Sequence, residues 1–174
     1  MRLSPRLRKG ALAFHLAVSV GWIGAVAAYL ALDLTATMST DPGTLRAAYL
    51  GMGLIAGAII VPLAIATLVT GLVVSVGTKW GLARHWWVLI SLALTVFATV
   101  VLLVEAGTIA SYAAVAANPD ATEAELRGLG STLVHSVGGS LVLLVVLVLN
   151  IYKPAGLTPY GWRKQQQERR AARS

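Results

Sequence analysis

The chain reads as an all-α protein, a four-transmembrane-helix antiparallel bundle with its N and C termini cytoplasmic. Three observations predict this fold class. Across 174 residues, 57% are hydrophobic and 12% charged, with a mean hydropathy of +0.76, which leaves too few charges to cover a soluble domain. The hydrophobic residues gather into four long runs, at about 11–32, 46–76, 86–109 and 129–152. Each is long enough to cross a hydrocarbon core of ~30 Å. The bases flank those runs on one side: Arg2, Arg6, Arg8 and Lys9 before the first, Lys79 and Arg84 between the second and third, and Lys153, Arg163, Lys164, Arg169, Arg170 and Arg173 after the fourth. Only Arg46 and Arg127 fall in the alternate loops, so the positive-inside rule puts both termini in the cytoplasm.

The first run, Ala11 to Leu32, exceeds the ~7–15 apolar residues of a secretory signal and is kept as a membrane helix. On a helix of about 3.6 residues per turn, His15, Ser19, Trp22, Val26, Tyr29 and Asp33 fall along one side. That seam of polar and aromatic groups runs through a segment otherwise made of Ala, Val, Leu and Gly. Asp33 to Leu45 has the composition of an outer turn, with Ser39, Asp41, Pro42 and Gly43.

The second run is longer than a perpendicular span requires and should tilt, project or bend. Pro62 near its middle removes a backbone donor, which predicts a kink. His85, Trp86 and Trp87 stand at the exit of the following basic loop, where tryptophans anchor at the bilayer interface. The third run carries one acid, Glu105. In the outer loop after it, Thr122-Glu123-Ala124-Glu125 predicts a short capped helix. The fourth run holds Ser131, His135, Gly138, Gly139 and Ser140 in its outer half. Residues 153–174 form a basic cytoplasmic tail in which Gln165 to Ser174 is expected to be disordered. The whole chain, 1–174, is read as a single membrane domain.

With no cysteine, thiolate metal sites and thiol catalysis are excluded, and His15, His85 and His135 are the only imidazoles. There is no Gly-rich phosphate loop, nucleophile elbow or paired catalytic carboxylates, which argues against an enzyme. The net charge of +7 sits beside hydrophobic segments, so it points to anionic lipid at the termini and not to nucleic acid.

Depth estimates at about 1.5 Å per residue divide the polar residues into two groups. His15 falls ~9 Å to the cytoplasmic side of the midplane, with His85 at the cytoplasmic boundary. Tyr29, Glu105 and His135 agree in depth to within ~3 Å on the outer side. Trp22 lies between the groups. Pairing with His135 would relieve the cost of placing Glu105 in hydrocarbon, and the pair could ligate copper or zinc, with Tyr29, Met52 or water completing the shell. The alternative ligand is a flat macrocycle. Haem b requires an imidazole on a helix, space for the ring and apolar walls, and His15 with Ser19, Trp22 and His85 is one such candidate set. Gly138 and Gly139 leave comparable room beside His135.

Arg8-Lys9, His15, Gly21-Trp22-Ile23-Gly24, Arg84-His85-Trp86-Trp87 and Tyr152-Lys153-Pro154 together resemble a group of bacterial four-helix integral membrane proteins of unassigned activity. More distantly, His15 placed seven residues before a Trp-x-Gly resembles the first helix of the CopD copper-resistance family and of the HemJ family of membrane protoporphyrinogen oxidases. The HemJ resemblance implies a haem ligand at His15 alone and does not carry the oxidase activity with it.

The sequence therefore predicts a multi-pass cell-membrane protein that binds a small cofactor within its bundle, with haem b in a redox or electron-transfer role as the leading form. The alternatives are copper or zinc handling through His135 and Glu105, and a non-catalytic subunit whose polar residues register the helices. Beyond the lipid bilayer, a membrane protein partner or a second copy of the chain is the expected company.

Overall fold

The computed structural model describes residues 4–78 and 81–172, so the predicted basic positions Arg2, Lys79 and Arg173 lie outside the described residues. The described residues of the protein form helices joined by short connections, with no strand among them. Its elements are α1 (Pro5–Met38), α2 (Pro42–Ile55), a π turn (Ala56–Ile60), α3 (Val61–Gly77), α4 (Trp86–Ala117), α5 (Glu123–Arg127), α6 (Leu133–Tyr152) and α7 (Pro159–Ala171). Among the described residues four stretches are long and apolar enough to cross a membrane: α1, the continuous run Pro42–Gly77, α4 and α6. Apolar side chains such as Leu54, Val104 and Val148 stand exposed on the outside, as expected of a surface whose solvent is lipid.

Helices α1 and α2 begin ahead of their hydrophobic runs, each behind a side-chain cap. Asp41 opens α2, its Oδ2 accepting the Thr44 N–H and hydroxyl at 2.8 Å each. Those two bonds hold the Asp41 carboxyl below its usual value. The predicted outer helix forms as α5, with a reciprocal capping box between Thr122 and Glu125. The Thr122 backbone and hydroxyl donors hold the Glu125 carboxyl low in the same way.

Pro62 is accommodated by widening the turn before it. The Val61 N–H reaches back five residues to the Ala56 carbonyl, which gives the chain a π turn where a regular helix would drive the proline ring into a carbonyl. The turn lies midway along the second span.

Helix α1 packs on α2, α3 and α6, and α4 packs on α2, α3 and α6, so the four spans enclose a common interior. Helix α2 comes close to α4 at Gly53, where a Cβ would run into the Cβ of Ala113. At one end, Arg46 donates to the carbonyls of Ala116, Asn118 and Ala121, at and just beyond the end of α4, where the last carbonyls lack helical partners. Arg127 pairs with Glu123 and donates to the Thr40 carbonyl at 2.8 Å. This is termed the α5 end.

The segment expected to be disordered is a helix as far as Ala171. Thr158 caps α7, and the tail folds onto the loop before α4: the Thr158 N–H donates to the Arg84 carbonyl, the Trp86 N–H donates to the Gly156 carbonyl, and Arg84 makes a two-pronged ion pair with Glu168. These tertiary bonds order a segment whose composition alone gives no core. A second correction concerns Asp33, read as the start of a loop. It lies inside α1 and is 1% exposed, because hydroxyls of the α6 region replace the water it would otherwise need.

Candidate functional site

A cavity of about 380 Å³ opens among the spans, from their midpoints toward the α5 end. Helix α1 contributes Trp22, Val26 and Tyr29; the π turn contributes Ala56 and Ile60. Helix α4 presents Phe97, Val101, Leu102 and Glu105, and α6 presents His135, Ser136, Gly138, Gly139 and Leu143. The walls are almost wholly apolar. A Cβ built on Gly138 or Gly139 meets nothing within 4 Å, so these glycines leave open space beside His135. Phe97 and Val134, also in the lining, are 58% and 83% exposed, which places the rim of the cavity on the outer surface between α4 and α6.

Two polar groups interrupt the apolar wall. Glu105 Oε2 lies 3.6 Å from His135 Nδ1, the pair that the depth estimate matched. The second is a chain of hydroxyls. Thr132 donates to Asp33 Oδ2 at 2.9 Å, and having one proton it must accept from Tyr29, whose hydroxyl lies 2.8 Å away. Ser136 donates to the same Asp33 oxygen at 2.8 Å. The order is therefore Tyr29 to Thr132 to Asp33, with Ser136 as a second donor, and it ties α1 to the start of α6. Tyr29, Thr132 and Ser136 all border the cavity.

Trp22 differs from these. It is 3% exposed and lines the cavity, yet its Nε1 has no acceptor among the described residues.

The remaining predicted residues lie elsewhere. His15 Nδ1 is 2.9 Å from Thr70 Oγ1, and the Thr70 proton is committed to the Ala66 carbonyl at 2.6 Å, so His15 Nδ1 is the donor. The imidazole rests against Gly71, where a Cβ would stand 3.2 Å from its Cε1. Ser19 returns its hydroxyl to the His15 carbonyl. His85 precedes α4, with its backbone bridged to Leu157 and its ring 6.3 Å from that of Trp87. Met52 is buried in the core and is not in the cavity lining. His15 and His85 thus belong to separate sets of contacts, while Trp22, Tyr29, Glu105 and His135 share one cavity. Among the described residues no group of three or more His, Cys, Asp or Glu side chains converges as a metal site.

Sequence reasoning missed Thr132, Ser136, Thr70 and Gly71. Thr132 and Ser136 carry the only available signal, a pair of hydroxyls four residues apart on one helical side.

Fold and site together describe a helical bundle of membrane-spanning type with an apolar cavity and a polar pair in its wall. Compared with family models, curated proteins and solved structures, the chain matches none. Its function is therefore argued from the cavity.

Proposed function

We propose that the protein is an integral membrane protein that holds a small, largely apolar cofactor or ligand in the cavity between its spans. The spans run antiparallel with both termini cytoplasmic, which puts the α5 end and the His135–Glu105 pair on the outer side. The observation that carries the reading is the cavity itself: apolar walls from every span, two glycines that keep one side empty, and a rim on the lipid-facing surface. A ligand dissolved in the bilayer can enter there without passing through water.

Haem b remains one form of this reading, supported by the space that Gly138 and Gly139 leave beside His135. In that form His135 would be the residue to hold the iron, and the apolar walls would take the macrocycle.

Native mass spectrometry of protein released directly from its membranes tests the proposal. The expected result is a stoichiometric adduct that Gly139→Leu removes without lowering the thermal midpoint, since the new side chain fills space that is already empty. A Soret band lost in His135→Ala identifies the adduct as haem, and copper or zinc lost in the same variant identifies a metal. Wild-type protein that emerges with neither adduct nor chromophore, and takes up none from membrane extracts, overturns the reading.

A further inference from the structure

We infer that the ligand of this cavity is a neutral long-chain alcohol of the membrane, its hydroxyl bridging His135 and Glu105 and its apolar body filling the space toward mid-span. The inference rests on the cavity reading above and specifies its chemistry. It begins from a polar pair in the lining that the chain itself leaves unsaturated. Tyr29, Thr132 and Ser136 are committed to one another and to Asp33. His135 Nδ1 and Glu105 Oε2 lie 3.6 Å apart, an ion-pair distance that is longer than a hydrogen bond, so neither group spends its bonding capacity on the other. Among the described residues neither side chain makes a hydrogen bond. Both line the cavity and both remain reachable, their side chains 50% and 21% exposed.

The chemistry of the pair selects the head group. An imidazole N–H and a carboxylate side by side offer a donor and an acceptor, and a hydroxyl is the simplest group that accepts from the one and donates to the other. A carboxylate head would face the Glu105 carboxylate, and an ammonium head has no lone pair for the imidazole proton. Position selects the body. His135 is the third residue of α6, toward the α5 end, whereas Leu143 lies about 12 Å farther along the same helix, at the level of the apolar wall made by Ala56 and Ile60. A polar end toward the membrane surface and an apolar remainder toward its centre is the polarity gradient of one leaflet. An amphiphile therefore enters between Phe97 and Val134 in the orientation it already has in lipid. A volume of about 380 Å³ stands near the lower end of the ~300–1,000 Å³ of small-molecule sites, which suits a single chain and not a two-chain phospholipid.

The test uses full-length protein in nanodiscs and a dodecanol bearing a mid-chain diazirine, with photolabelled residues mapped by peptide mass spectrometry. Dodecanol, dodecane, dodecanoate and dodecylammonium compete against it, each corrected for its partition into empty discs. The expected result is labelling of cavity-lining residues on α4 and α6, suppressed by dodecanol at least tenfold more effectively than by the other three, equivalent to ~1.4 kcal/mol. The double variant Glu105→Leu/His135→Phe should lose that preference while dodecane competes as before. Glu105→Gln keeps an acceptor and removes the carboxylate, so it should still prefer dodecanol to dodecane and should now admit dodecanoate. Equal competition by dodecanol and dodecane in wild type, or a preference that survives in the double variant, overturns the alcohol assignment and leaves the cavity reading intact. Stronger competition by dodecanoate or dodecylammonium overturns the neutral head group. Absence of competed labelling overturns the alcohol class and, joined to the absence of any adduct by native mass spectrometry, the cavity reading as well.

Discussion

A carboxyl group buried in an apolar interior needs hydrogen-bond donors in place of water, and two hydroxyls from the α6 region supply them to Oδ2 of Asp33. Its contribution is positional: it sets the level at which α6 begins, and through Thr132 it holds the hydroxyl of Tyr29 at the cavity wall. Asp33→Ala removes the acceptor from both hydroxyls at once and is expected to cost about 2–3 kcal/mol of stability. Ser136→Ala should cost less, because Thr132 still reaches Asp33. Chemical unfolding in mixed micelles measures both, and equal midpoints for wild type and Asp33→Ala would show that the network does not hold the helices. His15 illustrates a different outcome for a polar group in a span. Its imidazole is bound to Thr70 and laid on Gly71, which accounts for it structurally without reference to a ligand.

The second span shows how elements are fitted together. Pro62 cannot donate, and a regular helix would force its ring against the preceding turn; the π turn at Ala56–Ile60 resolves both problems and sets Ala56 and Ile60 against the cavity. One turn earlier, Gly53 brings α2 onto α4 at Ala113. In lipid such close approaches replace the hydrophobic effect as a source of packing energy. Gly53→Ala is expected to separate the two helices and lower stability by about 1–3 kcal/mol. Combining it with Ala113→Gly exchanges the two side chains and should restore most of the loss. A double variant no more stable than Gly53→Ala in the same unfolding assay would show that the Gly53–Ala113 contact does not set the spacing of the two helices. The hydroxyls of Thr95, Thr99 and Ser140 need no interhelical partner, since each donates to a carbonyl four residues earlier in its own helix.

At the scale of the whole molecule, fasteners between loops stand at both ends of the bundle and the cavity lies between them. At the α5 end Arg46 ties α2 to the α4–α5 connection, and Arg127 ties α5 to the α1–α2 connection. At the other end α7 is seated on the loop before α4. Gly161 is required there because a Cβ would collide with the Arg84 carbonyl. Gly161→Ala should unseat α7 and open its backbone at the exposed residues Arg163 and Lys164 to trypsin. If seating contributes ~1.4 kcal/mol, cleavage of the tail accelerates about tenfold while the spans remain intact. Unchanged cleavage would mean that α7 is held without this contact.

The sequence by itself determined the class of fold and the content of the spans, because hydropathy over some twenty residues is a local property set by the cost of placing polar groups in lipid. The short capped helix was legible for the same reason, since the Thr122–Glu125 box spans four consecutive residues. Depth along a helix is also local arithmetic, and it matched Glu105 with His135. Rotation about each helix axis is not local. It decides which face meets which neighbour, and only the tertiary structure moved Trp22 into the cavity of Tyr29 and His135, left Met52 outside that lining, turned Asp33 from a loop residue into a buried acceptor, and seated the tail as α7. These positions depend on contacts between residues many tens apart in the chain, such as Tyr29 with Thr132 and Arg84 with Glu168, and no periodicity within one segment encodes them.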